Sequence, residues 1–282
     1  MKCVFFALLL LLFAVIHNAE AGDNIESFYT KIGRTVVRLE HFYSILTEGN
    51  DTYIIKNYSD GTGFFVTSDD RLYLVTARHV ADTDHDLHAR VKIRNSITNK
   101  DEILLLRIPR THWVFHPDNG NDKVNAVDVA VVKLPVPVKE GKFIGEFTAF
   151  SDDQLPLADA LPPDQVVTFG FPGDIGFKLF EQRPMGRFGI VAMYTGENFI
   201  KIGDKFANSR CSVLDIKVFA GNSGSPVFSA GDDTKLLGVL IASNSSDIAI
   251  MEPASRIKEV IDTAKNIPIK DYTYWEEIKV SQ

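Results

Sequence analysis

Ser223 lies in the run GNSGSP, from Gly221 to Pro226, a small flexible turn built around one hydroxyl. A hydroxyl is a weak nucleophile at its free pKa. A reactive serine therefore needs a base beside it and hydrogen-bond donors aimed at the oxyanion that forms on attack. Gly221 suits the second need. Without a Cβ it can take backbone conformations that aim its N–H, with that of Ser223, into one small hole. For the first need, an imidazole must take the proton, and a carboxylate must hold that imidazole in the right tautomer.

Chain order narrows the partners. All seven histidines, at 17, 41, 79, 85, 88, 112 and 116, precede Ser223. The Ser, Asp, His order of α/β-hydrolases cannot be built on this serine, and the turn is GNSGS, not G-x-S-x-G. An Asp, His, Ser order would need a parallel α/β pattern that the chain lacks, which leaves His, Asp, Ser. His79 directly follows the apolar strand of YLVTARHVAD, where a rigid element can hold the ring. His85 and His88 fall in a polar, Asp-rich loop and read as solvated. Asp128 opens DVAVVKLP, where a carboxylate at a barrel rim would be partly dehydrated; taken alone it could equally be a turn residue. Asp82, Asp84 and Asp86 alternate beside His79 but lack the Gly and Glu of an EF-hand loop, so no metal is expected there, and no cofactor.

The elements that must position these residues are short strands separated by Gly, Asp, Asn and Pro, without alternating long helices. That pattern predicts an all-β barrel or sandwich. Strand-like runs at 62–68, 71–77, 89–95, 102–109 and 128–135 form a first series. In ARVKIRN, Val91 and Ile93 alternate with Lys92 and Arg94. A looser stretch over about 136–164 reads as a linker, and a second strand series follows. Helical spacing of Ala254, Ile257, Val260, Ile261 and Ala264 predicts one helix, starting near Pro253 and packing behind a barrel. The tail, with Tyr272, Tyr274 and Trp275, is expected to dock on the surface.

At 282 residues, 45% hydrophobic and 24% charged, the chain has the composition of a globular protein. Lys2, an apolar run from Cys3 to Ile16 and the Ala19, Glu20, Ala21 site predict a secretory signal peptide over 1–21, hence a secreted or periplasmic protein. The run is shorter than the roughly 20 residues of a spanning helix, so no stable membrane insertion is expected. Loss of Cys3 with the signal leaves Cys211 alone, expected to be a buried structural thiol. A formal net charge of -7 argues against a nucleic-acid partner. Asn50, Asn57 and Asn244 occupy glycosylation sequons.

TARHV around His79, DVAV around Asp128 and GNSGSP around Ser223 resemble the three catalytic motifs of trypsin-like, chymotrypsin-fold serine proteases. GTGFFVT at 61–67, GFPG at 170–173 and PASRIKEVI at 253–261 resemble the bacterial secreted branch, glutamyl endopeptidases and HtrA-type protease domains. The resemblance covers about residues 30 to 265. It implies two six-stranded antiparallel barrels with the active site between them: 22–150 carrying His79 and Asp128, 151–252 carrying Ser223, then a helix and tail over 253–282. It implies an oxyanion hole from Gly221 and Ser223, and a primary pocket with Lys217 at its base and the strand Leu240, Ile241, Ala242, Ser243 as its wall. Lys217 at the base would favour an acidic side chain, or its stem would swing into solvent. Neutral Asn222 stands where digestive relatives resemble one another in an Asp that pairs with a new N-terminus, so activation by N-terminal insertion is not expected.

The function so implied is peptide-bond hydrolysis of a protein or peptide substrate through an acyl-enzyme. The alternative is a protease-fold binding or scaffold protein with a closed or inactive cleft. Oligomeric state is not encoded in these patterns.

Overall fold

The computed structural model describes residues 31–48, 51–94, 99, 101–118, 127–135, 138–139, 142–143, 149–155, 160–173, 183–196, 200–202, 205–207, 210–230, 235–244, 246–269 and 275–276. The expected signal peptide, Asn50, Tyr272 and Tyr274 lie outside the described residues. Among them, no helix is long and apolar enough to cross a membrane.

The chain is mostly β, in two layers with a C-terminal helix. The first is a half-barrel sheet of nine strands. Its centre is a long antiparallel hairpin, Val36–Glu48 against Asp51–Ser68. Leu87–Arg94 and Asp101–Ile108 extend it on one side, and Arg71–Thr76, Ala130–Leu134 and Val114–Phe115 on the other. Two short strands bring this layer from seven strands to nine. Phe150–Ser151 pairs in parallel with Asp51–Ser68, and Trp275–Glu276 docks antiparallel on Leu105 and Leu106. Arg71–Thr76 is buried from Leu72 onward, as its unbroken apolar run demands of a central strand.

The second layer is a closed six-stranded antiparallel barrel: Gln165–Gly170, Met185–Tyr194, Ser212–Asp215, Ile248–Pro253, Leu236–Ser243 and Pro226–Ser229. Alternation sends Val166, Val191, Leu214, Val227, Leu240 and Met251 into its interior. The opposite faces of several of these strands join the first layer's core. Phe228 lies with its ring centroid 4.9 Å from Phe150, and Phe150 lies 6.2 Å from Phe64. The two layers therefore share a core and hold one another in place.

The helix forms where expected, over Ala254–Lys265, with Ala254, Ile257, Val260, Ile261 and Ala264 buried. It packs against Ala130–Leu134 of the first layer and Leu236–Ser243 of the barrel. Each fully buried Ile or Val on that face contributes about 1.5–3 kcal/mol. Lys133 Nζ reaches from the first layer to the carbonyls of Lys265 and Ile267, at 2.9 and 3.3 Å, and satisfies acceptors that a helix end leaves open. Cys211 is buried and in no disulfide among the described residues, and burial pushes its thiol pKa far up, which suits an inert structural thiol.

Candidate active site

His79 is presented by a single helical turn, Arg78–Ala81, directly after the buried strand Arg71–Thr76. Val80 and Ala81 are buried and anchor the turn, while the His79 side chain just before them is 41% exposed. Asp128 lies between Val127 and Val129, both fully buried, which leaves its carboxylate at the rim. Its Oδ2 is 2.7 Å from His79 Nδ1, and its Oδ1 accepts the His79 backbone N–H at 2.9 Å. The Asp128 carbonyl accepts the Arg78 N–H at 3.2 Å. This grip on ring and backbone favours the tautomer with the proton on Nδ1, which leaves Nε2 as an acceptor.

Behind Asp128 stands a carboxyl that sequence patterning did not reveal. Glu252, wholly buried in the strand Ile248–Pro253, accepts the Asp128 N–H through Oε1 at 3.1 Å. Burial, more than the negative charge of Asp128, pushes its pKa up to about 7, against the opposing pull of Arg256 and its hydrogen bonds.

Ser223 sits on a turn held by main-chain atoms. Gly221 and Gly224 have φ of +91° and +87°, which side-chain-bearing residues rarely adopt. Thr62 is the main clasp. Its N–H donates to the Ser223 carbonyl at 2.8 Å, and its Oγ1 donates to the Gly221 carbonyl at 2.9 Å while accepting the Phe171 N–H at 3.0 Å. From the barrel, the Gly224 N–H donates to the Leu240 carbonyl at 2.7 Å. The close approaches require glycine: a Cβ on Gly224 would fall 2.0 Å from the Thr62 carbonyl and 3.1 Å from Ala77 N, and one on Gly61 2.8 Å from both the Ser223 carbonyl and the Val80 methyls. The serine turn is thereby set against the turn that carries His79.

The backbone N–H groups of Gly221 and Ser223 make no backbone hydrogen bond among the described residues, and the Ala220 carbonyl is turned aside to the Gly173 N–H at 2.8 Å. Both donors are thus left without a backbone partner among the described residues. Asn222 is buried, with its Oδ1 beside Gly170.

The residues expected to form the primary pocket differ in exposure. Lys217 is 59% exposed, with Nζ 3.9 Å from Asp247 Oδ1. Leu240 and Ile241 are buried in the cores, Ala242 is half-buried and Ser243 exposed, so the wall they offer is largely main chain. The three alternating carboxylates take separate partners: Asp82 with Arg78, Asp84 with His85, and Asp86 with Arg107.

His88 corrects the expectation of a solvated loop residue. It lies within Leu87–Arg94, is 9% exposed, and burial drives its pKa down to about 4. The apolar alternation of that strand begins at Leu87, so His88 and Arg90 share the opposite face, which is covered by buried Glu40 bonded to Arg90. His85 is half-buried, with Nδ1 3.0 Å from Asp84 Oδ1. Thr62, Glu252 and Gly224 are the site residues that sequence reasoning passed over. Thr62 lay in plain view inside GTGFFVT, and Glu252 was marked by being the one acid in IAIMEP.

No curated protein matches the chain. Among solved structures, the protease domain of MamO from Magnetospirillum magneticum, apo form, superposes with a TM-score of 0.50 at 16% identity, covering 82% of this chain and 97% of that one. The HtrA-type protease AlgW with decapeptide gives a TM-score of 0.50 at 16% identity, covering 83% of this chain and 67% of that one. At such identities the likeness speaks for the fold alone. The sequence model of the trypsin-like peptidase domain matches residues 61–239, from the glycine that abuts Ser223 to the strand behind it, and the chain belongs to that family.

Proposed function

We propose that the chain is an exported serine endopeptidase in which Ser223, His79 and Asp128 are the catalytic residues. The observation that carries this reading is the double grip of Asp128 on His79 beside a serine whose turn has two main-chain donors with no backbone partner among the described residues. Ser223 Oγ attacks the substrate carbonyl carbon while His79 Nε2 takes its proton. Asp128 steadies the imidazolium, and the N–H groups of Gly221 and Ser223 hold the oxyanion. His79 then returns the proton to the departing amine as the carbon–nitrogen bond breaks, which leaves an ester on Ser223. Water, deprotonated by the same imidazole, hydrolyses that ester and releases the acid. Export rests on the apolar run of residues 3–16 and the Ala19 to Ala21 site.

Hydrolysis of a denatured protein substrate, followed by the purified mature chain and by Ser223→Ala, tests the reading. The wild type cleaves, and the variant loses cleavage with its melting temperature nearly unchanged. Equal cleavage by both overturns the assignment of Ser223.

A further inference from the structure

Next to Gly61 in sequence, Asp60 meets two side chains from separate parts of the first layer. His41 comes from Val36–Glu48, Asp60 from Asp51–Ser68, and His85 from the loop after the His79 turn. Their ligand-type atoms, one per residue, all lie within 4.8 Å of one another. His41 Nδ1 is 2.6 Å from Asp60 Oδ2, and His85 Nε2 is 3.8 Å from the same oxygen. The two imidazole centroids are 4.0 Å apart, and Tyr58 stacks on the outer face of His41.

His85 carries the second observation. Its Nδ1 is bonded to Asp84 Oδ1 at 3.0 Å, and the Thr83 hydroxyl bonds its carbonyl at 2.9 Å, so ring and loop are both oriented. With the Nδ1 proton donated to Asp84, Nε2 holds a lone pair, and it is shielded from solvent without a hydrogen-bond partner among the described residues. A carboxylate on one ring nitrogen and a bare lone pair on the other is the arrangement that metal-ligating histidines adopt.

We propose that His41 Nδ1, Asp60 Oδ2 and His85 Nε2 form a binding site for a zinc-class divalent cation, with the fourth position open. Two imidazoles and one carboxylate suit zinc better than calcium or magnesium, which prefer sets made of oxygen. With ligand bonds of about 2.0–2.1 Å in a tetrahedral shell, neighbouring donor atoms stand about 3.3 Å apart. That lies between the two separations seen here, so small side-chain shifts suffice. The cation takes the place of the proton shared by His41 and Asp60. It would tie the segment whose Thr62 clasps Ser223 to the loop that leaves His79. The consequence for catalysis rests on the proposed function; the site itself does not.

Titration of the mature chain with cobalt(II), read by its visible absorption, and with zinc against a chromophoric chelator tests this, run in the Ser223→Ala background so that turnover plays no part. One equivalent binds, and zinc raises the melting temperature. His85→Ala and Asp60→Asn each weaken zinc binding by more than about tenfold, while His112→Gln, outside the cluster, leaves it unchanged. A melting curve of each variant without metal distinguishes a lost ligand from a lost fold. Equal zinc affinity in the wild type and in folded His85→Ala overturns the site, as does the absence of zinc binding by the wild type.

Discussion

The two halves of the candidate site are held by different chemistry. His79 and Asp128 are fixed to each other by side-chain groups, with Asp128 bonded to both the ring and the backbone N–H of His79. Ser223 is fixed mostly by main chain, through the Thr62 N–H, the Leu240 carbonyl and two glycines with positive φ, with the Thr62 hydroxyl as the one side-chain group in the clasp. The first half is thus sensitive to the identity of functional groups at constant shape, and the second to added atoms at constant function.

The sharpest contrast comes from Asp128→Asn. Its carbonyl can still accept the His79 N–H, so the amide NH₂ faces Nδ1 and forces the ring proton onto Nε2, where the base must be free. Turnover of a peptide substrate falls by about 10⁴-fold with little change in melting temperature. Gly221→Ala tests the other half. A Cβ there falls 2.6 Å from Gly173 N and the Phe171 carbonyl on a backbone of unfavourable φ. Displacement of one oxyanion donor lowers turnover by about 10²- to 10³-fold, and the melting temperature drops as well. If Gly221→Ala kept both, the main-chain account of the serine turn would fail.

Thr62→Val is the milder probe of that clasp. It keeps the N–H bond to Ser223 but removes the Oγ1 bonds to Gly221 and Phe171, each worth about 1 kcal/mol net. A drop of about tenfold in turnover with a lower melting temperature is expected, largely restored by Thr62→Ser. The smallest effect concerns Glu252, surrounded by Asp128, Arg256 and Cys211. Its pKa rises from 4.5 to about 7 on folding, so the folded state prefers the protonated form. That contribution to stability is fully present below pH 4.5 and is lost as pH rises through about 7. Melting curves across that window should slope downward for the wild type and flatten for Glu252→Gln, which keeps an acceptor for the Asp128 N–H.

His79, Asp128 and Ser223 were legible in the sequence because each sits in a short contiguous string whose local pattern reports its own element: an apolar strand before His79, another after Asp128, a glycine turn around Ser223. The helix was legible for the same reason, since its buried face repeats at its own period. Glu252 was not, because the group that explains it is 124 residues away in sequence. His88 was hidden by the polarity of Asp82 to Asp86, although Leu87, Ala89 and Val91 already mark the strand that buries it. The added strands of the first layer, two residues each at 150–151 and 275–276, are too short to carry any period. The His41, Asp60 and His85 cluster is assembled by strand pairing and a loop, and no spacing in the chain announces it.

The central claim is that Ser223 is an activated nucleophile beside a formed oxyanion hole. Labelling of the purified mature chain with a fluorophosphonate probe, with Ser223→Ala in parallel, tests it most directly. The account predicts rapid labelling of the wild type at Ser223 and none of the variant. A well-folded wild type that takes up no label, or a variant that labels as well as the wild type, would contradict it.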